Sequence, residues 1–116
     1  MEKMTGDGVA AGTRPPREAP EPATTVVMLK ALSHPVRLRI VDLIRRGGGG
    51  ICVCQFEKQF DLTQPTITHH LKILREAGLL RTEQKGTWVH HFINAEAFAQ
   101  LEASIGRFAR TANASD

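Results

Sequence analysis

Aromatic residues are scarce in this 116-residue chain, which has one Trp, no Tyr and five Phe. A core built from it must be mainly aliphatic, and the length supplies one domain and one core rather than two. No apolar run approaches the roughly 18 residues of a membrane-spanning helix, and no apolar signal segment follows the first methionine, so a cytoplasmic protein with no membrane partner is expected. Cysteine is scarcer still, with two residues, Cys52 and Cys54. In a reducing compartment, two close cysteines point to ligands or redox sensors rather than to a structural disulfide. Enzymatic constellations are missing too. There is no Cys-x-x-Cys, and no Ser/His/Asp set or carboxylate pair stands out, which argues against a thiol oxidoreductase or a hydrolase.

Charge gives a positive indication. The net charge is +3 and the pI about 9.2. Residues 1–23 hold three basic and four acidic side chains, leaving twelve Lys and Arg against eight Asp and Glu in the rest. That mild basic bias favours a nucleic-acid partner over an acidic substrate.

Residues 1–23 also contain four of the six prolines, three glycines and no large apolar cluster, so a disordered tail is expected there. From Thr24, Val26, Leu29 and Leu32 recur at helical spacing and predict a short first helix. Ser33 before Pro35 signals a second helix start, with Val36, Ile40 and Leu43 as its apolar stripe, widened by Leu38 and Val41. Arg45 and Arg46 suit its C-terminal dipole, and four glycines end it. Val53, Phe56 and Phe60 make CVCQFEKQF a third, amphipathic helix. About three residues later, Thr63 and Pro65 open a fourth, whose apolar face is Ile67, His70, Leu71 and Leu74 and whose end is Gly78. Two helices so joined predict a helix-turn-helix. The period then shortens: Arg81–Glu83 and Trp88–Ile93 flank QKGT, a hairpin turning at Gly86. Asn94 caps a last helix with Phe98, Leu101, Ile105 and Phe108 on one side. The order α-α-α-α-β-β-α is a winged helix, mostly helical, spanning residues 24–110, with 111–116 as a C-terminal tail.

The outward side of the fourth helix carries Thr66, Thr68, His69 and Lys72, with Gln64 at its tip. Amide, hydroxyl and imidazole groups can read base edges, and Lys neutralises phosphate. Lys85, at the hairpin tip, is expected to touch the DNA backbone or minor groove. His70 sits among apolar neighbours and reads as a core histidine satisfied by a hydrogen bond. His90 and His91 look like a metal pair, but neighbouring strand residues point to opposite faces and cannot share an ion. One is expected in the core and the other in solvent.

ALSHPVRLRIVDLI, ICVC, LTQPTITHHLKILREAGLL and KGTWVHHFI together resemble the ArsR/SmtB family of metal- and metalloid-responsive repressors, over about Leu29 to Leu101. Three places carry the likeness: His34-Pro35 with Arg37-Leu38, the Gln-x-x-x-Thr-His run before His-Leu, and Cys52-Val53-Cys54, which is similar to the arsenic-responsive branch. The resemblance implies a homodimer held by the first and last helices, bound to a near-palindromic operator and released by its inducer. It also implies DNA contacts from Gln64, Thr66, Thr68 and His69. The pattern departs from the family at Glu57, where arsenic-responsive relatives often have a third cysteine. The last helix lacks the Asp/His and His/Glu pairs of zinc-responsive members, so no zinc site is expected there.

Two thiolates on one atom, each bonded at about 2.3 Å, must lie within about 4 Å of one another. In a helix, residues i and i+2 are about 200° apart. Chelation by Cys52 and Cys54 therefore requires residues 51–54 to be extended, or the first helical turn to distort. The pair suits As(III) with a third oxygen donor such as hydroxide or Glu57. It suits methylarsenite better, since carbon fills the third position. Sb(III) fits the same donors, and Cd(II) does if others join. No permanently bound cofactor is expected. The alternative is a redox-sensing repressor of the same fold, although a Cys-x-Cys disulfide closes a strained ring.

Overall fold

A computed structural model describes the backbone of residues 20–47 and 51–114. The tail expected at the N-terminus lies outside the described residues as far as residue 19, and so do glycines 48–50 and residues 115–116. Seven elements follow in the expected order: α1 (Pro22–Leu32), α2 (Pro35–Gly47), α3 (Val53–Glu57), α4 (Gln64–Glu76), β1 (Leu80–Lys85), β2 (Trp88–Ile93) and α5 (Ala95–Ala114). The helix boundaries differ in three places. The first helix starts at Pro22 rather than Thr24, because proline is pre-organised for a first turn. The third stops at Glu57, so the turn before α4 is six residues rather than three. The last runs to Ala114, into the segment expected as a tail.

The α1–α2 corner is built differently from the sequence expectation. Ser33 closes α1, its backbone N–H and its hydroxyl both donating to the Lys30 carbonyl, at 3.2 and 2.8 Å. The residue that opens α2 is His34, whose Nδ1 accepts the Val36 N–H at 3.1 Å. An imidazole here does the work that a Ser or Thr oxygen usually does at a helix start. Arg37 then ties three helices together. Its Nε donates to the Ala31 carbonyl at the end of α1, and its Nη1 lies 3.2 Å from Nδ1 of His70 on α4.

One aliphatic core lies beneath α4. Ile67, Leu71 and Leu74 meet Met28 and Ala31 of α1, Ile40 and Ile44 of α2, Phe56 and Phe60 around α3, and Leu79 and Leu80 leading into β1. Each large apolar side chain buried here contributes about 1.5–3 kcal/mol. The outer helices spend less of their apolar surface inside. Among the described residues, those buried are Met28 and Ala31 on α1 and Ala97, Leu101 and Ser104 on α5, with Leu32 and Phe98 partly buried against the core. Val26, Leu29, Ile105 and Phe108 stay exposed, Phe108 at 66%. The two helices are joined by a hydrogen bond between the Thr25 and Ser104 hydroxyls, 3.1 Å long. On α2, Leu38 is also exposed rather than part of the inner stripe.

At the end of α4, Gly78 adopts φ +83°. Its N–H donates to the Arg75 carbonyl and the Leu79 N–H to the Leu74 carbonyl, satisfying carbonyls the helix leaves open. Antiparallel pairing of β1 with β2 runs from Leu80↔Ile93 to Lys85↔Trp88, leaving Gly86 and Thr87 as a two-residue loop. β1 thus extends two residues further into QKGT than the alternation predicted, whereas β2 covers Trp88–Ile93 as expected. A third segment joins this wing: Ile51 exchanges both backbone hydrogen bonds with His91, at 3.2 and 2.9 Å.

Asn94 locks the wing to α4. Its backbone N–H donates to the Leu79 carbonyl, its Nδ2 to the Gly78 carbonyl at 2.8 Å, and its Oδ1 accepts the Ala97 N–H to cap α5. Losing a cap and a part-buried hydrogen bond together costs about 1–3 kcal/mol. Asn94→Ala should lower the urea midpoint accordingly, and Asn94→Asp, which keeps the cap but loses the Nδ2 donor, should recover part of it.

Two buried imidazoles make stability depend on pH. His70 and His91 are 8% and 4% exposed. Burial holds His70 below the ordinary imidazole value, with His34, Arg37 and His69 adding to the effect. His91 is lowered first by burial, then by Arg75 and His90. The unfolded chain takes up these protons near pH 6.5 and the folded chain only at lower pH. Their full contribution is therefore present above about pH 6.5 and is lost as pH falls, at no more than about 1.4 kcal/mol per pH unit for each group. Thermal melts between pH 7.5 and 5 should show this acid limb, and His91→Leu should flatten it.

Candidate nucleic-acid interface and cysteine site

The outer face of α4 is fixed by what its inner face buries. With Ile67, His70, Leu71 and Leu74 turned inward, Gln64, Thr66, Thr68, His69 and Lys72 all lie exposed on the remaining surface. Thr63 caps the helix, its Oγ1 accepting the Thr66 N–H at 3.4 Å and lying 3.0 Å from the Thr66 hydroxyl. Thr66 is thus engaged in the cap as well as facing outward, a dual position that residue type alone does not reveal. No acidic residue occupies the first turn of α4, so nothing on the helix opposes a phosphate at its positive end.

The wing adds cations to this surface. Lys85 ends β1, exposed beside the Gly86–Thr87 loop. The Lys85 ammonium lies 5.7 Å, and the Arg81 guanidinium 4.6 Å, from the Phe92 ring centroid. Phe92 therefore supports two wing cations through its ring. Arg81 is a basic wing residue that the sequence reading passed over. Its guanidinium also pairs with Glu83 on the same strand.

His70 is the core histidine the sequence suggested. Its ring centroid lies 4.6 Å from that of His34, and Arg37 supplies its hydrogen bond. Arg37 has no acceptor of its own, so His70 Nδ1 must accept, which requires the neutral imidazole with its proton on Nε2. In the wing, His91 is buried and His90 half-buried. The Nδ1 atoms of both are buried and meet no hydrogen-bond partner among the described residues.

Cys52 stands immediately outside α3. Its backbone is extended, at φ −95° and ψ 165°, and its N–H donates to the Gln55 side-chain carbonyl at 3.0 Å in a capping box. The preceding residue, Ile51, is the one paired with His91, so one side of the cysteine is anchored to the wing. Cys54 follows two residues later, inside the helix. The pair thus straddles the boundary between extended and helical backbone, halfway between the two alternatives that the spacing left open. Half-buried Cys52 opens on a cleft of about 360 Å³. Val53 and Glu57 of α3, Gln64 at the tip of α4, and Thr87, Trp88 and Val89 of the wing form the rest of its wall. Glu57, where a third cysteine is often found, therefore shares a cleft with Cys52. Among the described residues, no three His, Cys, Asp or Glu side chains converge as a metal site.

No described helix is long and apolar enough to cross a membrane. Residues 34–82, from His34 through the helix-turn-helix into β1, match the family model for bacterial regulatory proteins of the arsR family. The arsenical resistance operon repressor of Bacillus subtilis is 43% identical over 68 residues, which are 58% of this chain and 63% of that protein. The arsenical resistance operon repressor of Staphylococcus xylosus is 38% identical over 78 residues, 67% of this chain and 73% of that one. The chain thus spans just under two thirds of the Bacillus relative and somewhat more of the Staphylococcus one. Among solved structures, a homodimeric winged helix-turn-helix DNA-binding domain from Mycobacterium bovis superposes with a TM-score of 0.61 at 26% identity, over 76% of this chain and 80% of that one. A winged helix with a polar reading helix, free of acids in its first turn, and this likeness to known regulators makes the chain a DNA-binding transcriptional regulator, not an enzyme, and it belongs to the arsR family.

Proposed function

We propose that the chain is a homodimeric repressor that holds a near-palindromic operator and leaves it when trivalent arsenic is bound by Cys52 and Cys54. The observation that carries this reading is the position of Cys52. It is the extended cap of the helix that supports α4, and it adjoins the residue that pairs with the wing. Joining its sulfur and that of Cys54 to one atom draws them to within about 4 Å. That constrains the capping box and the first turn of α3, and the strain reaches α4 through Phe56, only 1% exposed in the shared core. Two reading heads must meet major grooves one helical turn apart, so a small tilt in each lowers affinity steeply. Complete release asks for about 5.5 kcal/mol of differential binding. Antimonite fits the same two thiolates.

Dimerisation uses α1 and α5 in this reading, the winged-helix domain lying between them. Val26, Val27, Leu29, Ile105 and Phe108 expose apolar surface on these two adjacent helices, and a second copy would cover it. DNA contact falls to Gln64, Thr66, Thr68, His69 and Lys72 of α4 with Lys85 of the wing. Gln64, at the tip, is assigned to a base edge, and the lysines to phosphates.

Fluorescence anisotropy on the chain's own promoter DNA tests both halves. Lys72→Ala and Lys85→Ala should weaken binding on every sequence and each reduce the salt slope by about 2, one contact being lost from each protomer. Gln64→Ala should cost about 1–3 kcal/mol and relax preference at one base pair. With arsenite added, the native dimer should dissociate from DNA, whereas Cys52→Ser and Cys54→Ser should stay bound at concentrations at least about tenfold higher. Full induction of either serine variant would overturn the chelation reading.

A further inference from the structure

The geometry points to the cleft beside Cys52 as the seat of a carbon substituent on the inducer, with Trp88 of the wing as the residue that selects for it. The preferred ligand is then a monosubstituted trivalent arsenical, R–As(OH)₂, with R an aryl or methyl group. This rests on the reading that Cys52 and Cys54 bind arsenic, and it names which arsenicals they take.

Three observations carry it. The cleft, about 360 Å³, falls in the size range of small-molecule sites, whereas a bare arsenic atom with a hydroxide needs no such volume. Its lining joins apolar Val53 of α3 to Trp88 and Val89 of the wing, with Glu57, Gln64 and Thr87 as its polar part. Finally, Trp88 and Val89 are 57% and 40% exposed, so they hold apolar surface in water that a hydrocarbon group could cover. A ring against an indole gains from offset or edge-to-face contact beyond simple burial.

The bonding step balances without an oxidant. Two Cys S–H and two As–OH bonds break, two As–S bonds form, and two waters leave. Arsenic remains trivalent and R keeps its bond to arsenic. With carbon in the third position, no third thiolate is required, which suits a chain whose only cysteines are these two. Position in the fold gives the substituent a second consequence. Gln64, the tip of the reading helix, and Thr87, next to Gly86 in the wing loop, line the same cleft. A group wedged there separates α4 from the wing, so R adds to the release that the thiolates begin.

Trp88 is the chain's one tryptophan, which supplies a direct readout. The experiment titrates phenylarsine oxide, methylarsonous acid and arsenite against the full-length dimer on operator DNA. It records anisotropy, Trp emission and the mass of cysteine adducts. Phenylarsine oxide should shift the emission with saturation at one per chain, and arsenite should leave it nearly unchanged. The decisive quantity is the ratio of arsenite to phenylarsine oxide concentrations at half release, because intrinsic differences in thiol affinity cancel between variants. Trp88→Ala should lower that ratio about tenfold, the equivalent of 1.4 kcal/mol. Trp88→Phe, which keeps a ring, should preserve most of it, and Val89→Ala should lower it less. An unchanged ratio in Trp88→Ala, with adducts still formed on both cysteines, would overturn the selectivity and leave the chelation intact. Absence of any adduct on Cys52 and Cys54 would instead remove the arsenic reading, and this inference with it.

Discussion

Burial of one face of α4 fixes the angle at which the other face is presented. Ile67, Leu71 and Leu74 provide the apolar contact that turns this face inward. The Arg37–His70 hydrogen bond is directional, and it links α4 to a guanidinium that also holds the Ala31 carbonyl in the last turn of α1. The reading helix is therefore referenced to the same two helices that close the core. Gln64 and Lys72 inherit their orientation from that arrangement rather than from anything on their own side.

The same core makes the cysteine pair more than a surface feature. α3 is only five residues long and stands by virtue of its cap and of Phe56 beneath it. A change at its first residue has little local structure to absorb it. The Ile51–His91 pairing extends the consequence in the other direction, to the strand that carries Trp88 and Val89. Asn94 completes the circuit by joining the end of the wing to the end of α4. Cap, wing and reading helix thus share boundaries, and a ligand at the cap acts on all three.

Histidine is used here for shape as much as for charge. His34 opens a helix, His70 receives an arginine, and His91 lies buried with an Nδ1 that meets no partner among the described residues. His70 accepts from a guanidinium and so needs a neutral ring, and burial disfavours charge on both His70 and His91. An unsatisfied buried nitrogen is a cost of about 1–3 kcal/mol. At His91, the two backbone hydrogen bonds to Ile51 hold the strand position that the side chain makes expensive.

The sequence by itself determined what local spacing can encode. Thr63 and Pro65 opening α4, its four-residue buried face, Gly78 ending it, Gly86 turning the hairpin and Asn94 capping α5 all depend on neighbours within four residues, and each was legible. The burial of His91 was expected of one member of the pair, but His90 is half-buried with its Nδ1 buried rather than in solvent. Tertiary structure decided the rest, because it depends on residues far apart in the chain. Ser33 and His34 exchange the roles their types suggest, since the Ser33 hydroxyl turns back onto Lys30. Val26 and Phe108 share a helical period with buried residues, and only the packing of α1 on α5 leaves them outside. Most of all, nothing in the spacing of Cys52 announces that Ile51 pairs with His91, forty residues away, or that Gln64 and Trp88 close a cleft over it. Periodicity specifies which face a residue occupies; which faces meet is fixed only when the core forms.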